Sequence, residues 1–393
     1  MNLNQVKRQS RLCSKIIISS IWLLIIIFIS CSTSIDKNNL AKNIPIENYL
    51  VDSILLPSEI SENSFNSQIT YTEKESITFL DEEKGRFYTY NLETKTYTDS
   101  LESMHSKINS FFCRNLDSVY ILTEDNLLIT IFNKIHNVHD LNKFLNQIDT
   151  NLFAQTLNPI QLANDTLVLT VRTFLPENDT LPSRKDVSLY YDIFMRIQKD
   201  SIKYIGRNNP NTKNMIGQDY YTNLKRERLM ISPSKIVYSY QYKDSLLIYN
   251  FNNKRLIYSK IYSPNFKPNK TYDNKMFGDA DFTKEYLFSQ TRFSFLHYDK
   301  NQNLVYQYLK HAGKYITKTG EKNAYYDLPF SLMIYDKNLK LKKELLMGSK
   351  KYWPLKTFIT NDGLFIAGHK SIQKKEGKTM FYKFSITNEN IDY

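Results

Sequence analysis

Cys31 stands in a setting that prescribes a covalent reaction. Lys7, Arg8, Arg11 and Lys15 form a basic front, an apolar run extends from Ile16 to Ile29, and Ser30-Cys31-Ser32 follows. A charged segment, a short apolar segment and a small residue before a cut make up a secretory signal. A cysteine at the first position after the cut makes it a lipoprotein signal, because the thiol takes a diacylglycerol before the peptidase acts. Phe28 stands where such a box usually carries Leu, and Ile29 is acceptable beside it. The alternative is an uncleaved anchor. Against it, the stretch from Ile16 to Ser30 is shorter than the roughly 20 apolar residues a spanning helix needs, while positive charge ahead of the run suits either reading. The expected organisation is a signal peptide over 1–30, a flexible polar tether over 31–45 and a folded domain over 46–393, held to a membrane through lipidated Cys31. One acyl chain holds a membrane only marginally, so a triacylated cysteine is the stronger anchor.

Other reactive residues lead less far. His136-Asn137-Val138-His139-Asp140 would set two imidazoles and a carboxylate on one face of a helix. Zinc takes three or four protein ligands, and the third would have to come from elsewhere, so surface decoration is the plainer reading. His297, His311 and His369 fall in strand or strand-end positions, where they cap or pack. Cys13 leaves with the signal and Cys31 is the lipid site, so Cys113 is alone in the mature chain and no internal disulfide framework can form. Between Phe112 and Arg114, Cys113 reads as a small buried hydrophobe rather than a nucleophile. Asp81-Glu82-Glu83 reads as a solvated hairpin tip. Glycoside hydrolysis needs two carboxyls held apart around a sugar, which a contiguous run does not supply. Signatures of the nucleophile elbow, phosphate loop, zinc protease and dinucleotide fold are missing. No catalytic residue, metal or cofactor is expected.

The elements that must position any site are strands. Aromatics make up 14% of the chain, and 29 Tyr stand against 10 Gly and 11 Pro, a composition that favours sheets. A motif of apolar strand, Tyr, Asn or Asp, polar turn and second strand returns along the chain. It occurs at Phe87–Asn91, Leu247–Tyr258, Leu296–Tyr306 and Met333–Leu339, each reading as a hairpin. Asp-Ser or Asp-Thr before an apolar residue recurs at Asp117, Asp165, Asp200 and Asp244, where the Asp side chain starts a turn and opens a strand. Repeated antiparallel units of about 40–60 residues match the period of propeller blades. Blades are expected near 66–103, 108–150, 158–206, 220–263, 280–346 and 354–390, with polar loops over 173–187 and 263–277. A short helix is expected from Val138 to Ile148. Tyr49 to Leu56 alternates like a strand and would complete the last blade, closing an all-β, six-bladed propeller without exposed edges. A β-sandwich followed by a second β-domain is the competing architecture.

Charge excludes one class of partner. Removing the four charges of the basic front from a formal +12 leaves +8, spread among Asp and Glu rather than clustered. Nucleic-acid binding needs a basic stripe or a recognisable motif, and neither is present. Weak attraction to anionic head groups or acidic glycans is compatible with this balance.

The segment from Phe293-Ser294-Phe295-Leu296-His297-Tyr298-Asp299 to Leu304-Val305-Tyr306-Gln307-Tyr308 resembles a late-blade signature of Bacteroidetes lipoproteins. These are six-bladed propeller-like proteins with a domain of unknown function of the DUF4221 type. Gln302 and Gln307 stand where that signature carries Arg. The likeness extends to the signal, the length and the closing strand Asn361-Asp362-Gly363-Leu364-Phe365, and would cover roughly residues 45 to 390. It implies fold and envelope location and brings no catalytic residues. The same resemblance implies O-glycosylation at Asp-Ser/Thr-apolar triplets, hence at Ser118, Thr166, Thr180, Ser201 and Ser245; strand opening is the plainer account of them.

The expected function is a non-catalytic binding or sensing module of the cell envelope, presenting loops on one propeller face to a protein or glycan. Tyr190-Tyr191 and Tyr325-Tyr326 are candidates for that face, and Trp353-Pro354 reads as a blade-packing anchor. Competing readings are a glycan-active enzyme with its site at the propeller mouth and a structural subunit of an envelope complex. Ser32 to Lys37 holds one acid, a poor version of an outward-export signal, so the expected location is an outer membrane, with the periplasmic face favoured and the cell-surface face left open.

Overall fold

A computed structural model describes residues 44–57, 70–72, 76–81, 84–103, 108–148, 152–154, 161–163, 166–173, 189–198, 201–208, 226–232, 234–250, 252–261, 263–267, 280–369 and 378–391. The described residues begin with β1 (Ile44–Pro45) and β2 (Leu50–Pro57). Six antiparallel sheets follow in sequence. Blade 1 holds β3 (Thr70–Thr72), β4 (Ser76–Asp81), β5 (Arg86–Asn91) and β6 (Thr96–Glu102); blade 2 holds β7 (Ile108–Asn115), β8 (Ser118–Thr123), β9 (Leu127–Phe132) and β10 (Ile135–Asp140). Helix α1 (Leu141–Ile148) leads into blade 3, with β11 (Leu152–Ala154), β12 (Gln161–Ala163), β13 (Thr166–Thr173), β14 (Leu189–Gln198) and β15 (Ser201–Asn208). Blade 4 holds β16 (Arg226–Ser232), β17 (Lys235–Tyr240), β18 (Ser245–Asn250) and β19 (Arg255–Lys260). After helix α2 (Ala280–Ser289) comes blade 5, with β20 (Arg292–Asp299), β21 (Leu304–Lys310), β22 (Phe330–Tyr335) and β23 (Leu341–Met347). Blade 6 is β24 (Tyr352–Thr360), β25 (Gly363–Gly368) and β26 (Lys378–Phe384), and helix α3 (Asn388–Ile391) ends the described chain.

The fourth strand of blade 6 is β2. It runs antiparallel along β26, from Leu50 opposite Phe384 to Pro57 opposite Lys378, so the start of the fold closes its end. The expectation for Tyr49 to Leu56 is met within one residue. The closure is clamped by its neighbours. β1 lies parallel to β23 as a fifth strand of blade 5. The Glu47 carboxylate accepts from Tyr352 Oη at 2.9 Å and meets Lys351 Nζ at 2.7 Å. Lys343 Nζ donates to Tyr49 Oη at 2.9 Å, and the Ser385 N–H donates to the Tyr49 carbonyl at 2.9 Å.

Strand periodicity explains why the blades stack. Alternate side chains of a strand point to opposite faces, and each blade is buried on both. In β21, Leu304, Tyr306 and Tyr308 enter the cluster shared with blade 6, while Val305 and Leu309 enter the one shared with blade 4. Six apolar clusters result, one at each blade interface. Cys113 lies fully buried between blades 1 and 2 beside Phe87 and Phe111, and burial pushes its thiol up to about 12. The inert reading of that cysteine stands. Polar bridges also cross these interfaces. Arg228 of blade 4 meets Asp192 of blade 3 at 2.6 Å, both fully buried, with Thr170 Oγ1 donating to the same carboxylate oxygen at 3.0 Å. Gln307 donates to Ser239 Oγ and accepts from Tyr335 Oη, so the amide that stands in place of the signature's Arg joins blades 4 and 5.

Three details of the sequence reading change. Val138–Asp140 belong to β10, and the helix is confined to Leu141–Ile148, because residues 135–140 pair in register with Phe132–Leu127 across a two-residue turn. Both turn residues, Asn133 and Lys134, have positive φ, the geometry that matches strand twist in tight hairpins. Asp81 is not solvated: it is buried at the end of β4, where its carboxylate accepts from the Lys84 N–H at 3.1 Å and pairs with Lys84 Nζ at 3.0 Å; Glu82 and Glu83 lie outside the described residues. The span expected for blade 5 from residue 280 opens on helix α2, so its first strand starts only at Arg292, whereas Trp353-Pro354 opens blade 6 within one residue of the expectation. The Asp-Ser/Thr motifs behave as strand openers. Ser118, Thr166, Ser201 and Ser245 are the first residues of β8, β13, β15 and β18, whereas Thr180 is outside the described residues.

Closure through β2 gives a direct test. A chain truncated to begin at Ile44 is expected to melt in one cooperative transition, and a chain begun at Ser58 to lose that transition or aggregate, since an open blade exposes apolar edge. Differential scanning calorimetry of the two truncations separates these outcomes.

Candidate functional site

The first strand of each blade lines the centre: β16 contacts β20, β20 contacts β24, and β24 contacts β3. In an antiparallel blade the start of the first strand, the end of the second and the start of the third emerge on the same face. On that face, blades 4, 5 and 6 enclose a cavity of about 930 Å³. Glu227, Arg292 and Trp353 come from the starts of β16, β20 and β24, Gln241 and Tyr242 from the turn after β17, and His369 from the end of β25. Leu287 comes from α2, and a short 3-10 turn at Tyr325–Asp327 supplies the rest of the far wall.

That turn sits in the long connection from His311 to Pro329 between β21 and β22, and its placement has clear causes. The Gly313 N–H donates to the Phe288 carbonyl at 2.9 Å, and the Tyr315 N–H to Glu285 Oε2 at 3.0 Å, fastening the connection to α2. A side chain at Gly313 would collide with Leu328. Asp327 Oδ2 accepts from the Ala324 N–H at 2.8 Å, which shapes the turn, and Oδ1 meets His369 Nε2 at 2.9 Å, which joins blade 5 to blade 6 across the cavity wall. Both carboxylate oxygens of Asp327 are therefore engaged.

Arg292 dominates the charged side of the site. Its guanidinium lies 4.0 Å from the centre of the Tyr325 ring, and Nε donates to Tyr325 Oη at 3.1 Å. Burial raises the Tyr325 phenol, while Arg292 and Ser294 act to lower it, so the phenol stays protonated at neutral pH. Tyr326 stands edge-on to Tyr325 at 4.9 Å and 6.1 Å from Trp353, and burial raises its phenol too. Beside them, Phe295 carries φ of 45° at a bulge between Ser294 and Leu296. Positive φ is strained for a bulky residue, and such bulges re-aim side chains near functional sites. Here the bulge brings Phe295 into the cavity lining.

Behind the wall lies Lys310, opposite Arg292 in the ladder and fully buried. Its Nζ donates to the Phe288 carbonyl at 2.9 Å and the Leu287 carbonyl at 3.3 Å, capping the end of α2. Burial, reinforced by the Arg292 charge, lowers its amine to about 6.

The sequence-nominated residues separate clearly. Tyr325, Tyr326 and His369 meet in the cavity, and Trp353 both packs between blades and lines it. His297 is buried against Tyr308, 6.0 Å between ring centres, and burial lowers it to about 4; His311 Nε2 is 2.7 Å from Ser331 Oγ. Those two pack and cap as expected, while His369 also faces the cavity. His136 and His139 sit three apart in β10, where odd spacing sends side chains to opposite faces, so they form no chelate. No group of three or more metal-ligating side chains occurs among the described residues. Tyr190 and Tyr191 fall in β14, with their side chains outside the description. Arg292, Asp327 and Ser294 were missed because they belong to no motif; the hairpin between β21 and β22 alone brings Asp327 to His369. No described helix is long and apolar enough to cross a membrane.

Six sheets of four or five strands around a central axis, closed by the N-terminal strand, define a six-bladed β-propeller with a cavity at one mouth. In fold the chain is similar to a DUF4221 family member from Bacteroides vulgatus, with a TM-score of 0.64 at 16% identity, over 85% of this chain and 96% of that one. A Bacteroides fragilis protein matches at 0.48 and 9% identity over 88% and 98%. The β-propeller domain of Myceliophteria thermophila Cps50 matches at 0.39 and 9% identity over 86% and 100%. No protein-family model and no curated protein sequence matches.

Lys310 predicts a pH signature. Its folded value of about 6 lies below the ordinary lysine value, so the unfolded chain binds the extra proton between them. Stability then rises with pH across that window and is lowest below about 6. Urea unfolding at pH 6 and pH 9 should show wild type gaining stability relative to Lys310→Met, and an equal response in both chains would refute the assignment.

Proposed function

We propose that this chain is a lipid-anchored, non-catalytic binding module of the cell envelope that takes a small glycan at its propeller mouth. One observation carries the reading: a cavity of about 930 Å³ walled by the rings of Phe295, Tyr325, Tyr326 and Trp353, with polar groups such as Gln241, Arg292 and His369 set among them. Sites of roughly 300–1,000 Å³ lined this way take small molecules or short oligomers rather than a folded protein surface. Flat rings offer faces to sugars, and Arg292, Gln241 and His369 offer donors or acceptors to hydroxyls. Hydrolysis is the less supported alternative, because it needs two available carboxyls, and Asp327 is held at both oxygens.

The anchor rests on Cys31 and the signal layout before it, with the outer membrane as destination and a tether that ends by residue 43, since Ile44–Pro45 pair with blade 5. The absence of a basic stripe argues against nucleic acid as partner.

Two outcomes follow. Mass spectrometry of the native protein should find residues 1–30 removed and Cys31 acylated, and Cys31→Ala should leave the membrane fraction. On a glycan array, the detergent-extracted protein should bind discrete sugars, and Tyr326→Ala should weaken binding roughly fivefold or more, the scale of one aromatic contact. An unchanged array profile for Tyr326→Ala in a chain that melts like wild type would remove the mouth from the binding site.

A further inference from the structure

We infer that the mouth cavity selects a sugar bearing a single carboxylate, with Arg292 as the recognising group; this rests on the glycan-binding reading above. Arg292 is half-buried on the cavity wall and uses only its Nε, toward Tyr325 Oη. Its two terminal nitrogens have no hydrogen-bond or ion-pair partner among the described residues, while the Nε bond and the Tyr325 ring 4.0 Å away hold the guanidinium in place. A guanidinium held in place with an unused fork matches a carboxylate through two parallel N–H···O bonds.

The neighbouring charges fit the same ligand. Lys310 lies directly across the ladder, but burial and the Arg292 charge lower its amine to about 6 and leave it mostly neutral at pH 7, so Arg292 is the cation that faces the cavity. Elsewhere around the cavity stand Glu227, which has its own partner, and Asp327, which is tied to His369 and the Ala324 N–H. A singly charged carboxylate fills the guanidinium fork with the least added negative charge beside Glu227 and Asp327, and a phosphate dianion would add twice as much. The rings of Tyr326 and Trp353 then face the body of the sugar across the cavity.

The test uses the full lipidated chain in detergent and an array of oligosaccharides containing uronic acids, each beside its methyl ester. Free acids should bind, and the esters should bind about tenfold or more weakly, the worth of a charge-assisted contact. Arg292→Gln should lose the acid preference by a similar factor. Tyr325→Phe, which frees Nε but keeps the ring, should retain the preference at reduced affinity and guards against a misfolded Arg292→Gln. Equal binding of acid and ester overturns the carboxylate inference and leaves the glycan reading standing. Binding confined to neutral sugars does the same, and no binding to any sugar overturns both.

Discussion

The pairing of β2 with β26 is the constraint on which the rest of the molecule depends. Every blade is apolar on both faces and is stable only between two neighbours. Blade 6 packs on blade 1 through Trp353, Phe358 and Phe381 against Ile77 and Phe79, with Leu56 of β2 in the same cluster. Without β2, blade 6 has three strands and a bare edge, and the last interface loses part of its core. The inner strands then have no reason to hold a fixed ring, and the mouth cavity, built from three of them, loses its shape.

How far the sequence discloses this arrangement depends on the range of the interactions. Hairpins are local: Leu247–Tyr258 and Met333–Leu339 carry their strands and turn within a dozen residues, and both appear as read. Blade spacing and closure follow from repeating that unit. The helix boundary fails for a related reason. His136-Asn137-Val138-His139 has no strong propensity of its own, and its pairing with β9 decides its conformation. The site is the least visible part, because Glu227, Arg292, Asp327 and His369 are separated by tens of residues and converge only through the ring. Tyr325-Tyr326 offered a signal because aromatics in a loop are unusual; a lone Arg at a strand start offers none.

The cavity is asymmetric in a way that bears on its role. Blades 4, 5 and 6 supply its lining, and blade 5 contributes both the bulged strand and the long connection that forms the far wall. That connection is not loose. It is fastened to α2 by backbone donors, filled by Leu328 against Gly313, and tied to blade 6 by Asp327 and His369. A site on such supports is preorganised, so a ligand need not supply the cost of ordering it.

The clamp at residues 44–49 also sets the mechanics of the molecule. Tension applied to the chain from its N-terminal side does not reach β2 first. It meets β1 on blade 5, then Glu47 between Lys351 and Tyr352, then Tyr49 beside Lys343 and Ser385. These contacts span the seam between blades 5 and 6, so load is shared by two blades before the closing strand bears any. The propeller is thereby shielded from being unzipped at the strand that completes it.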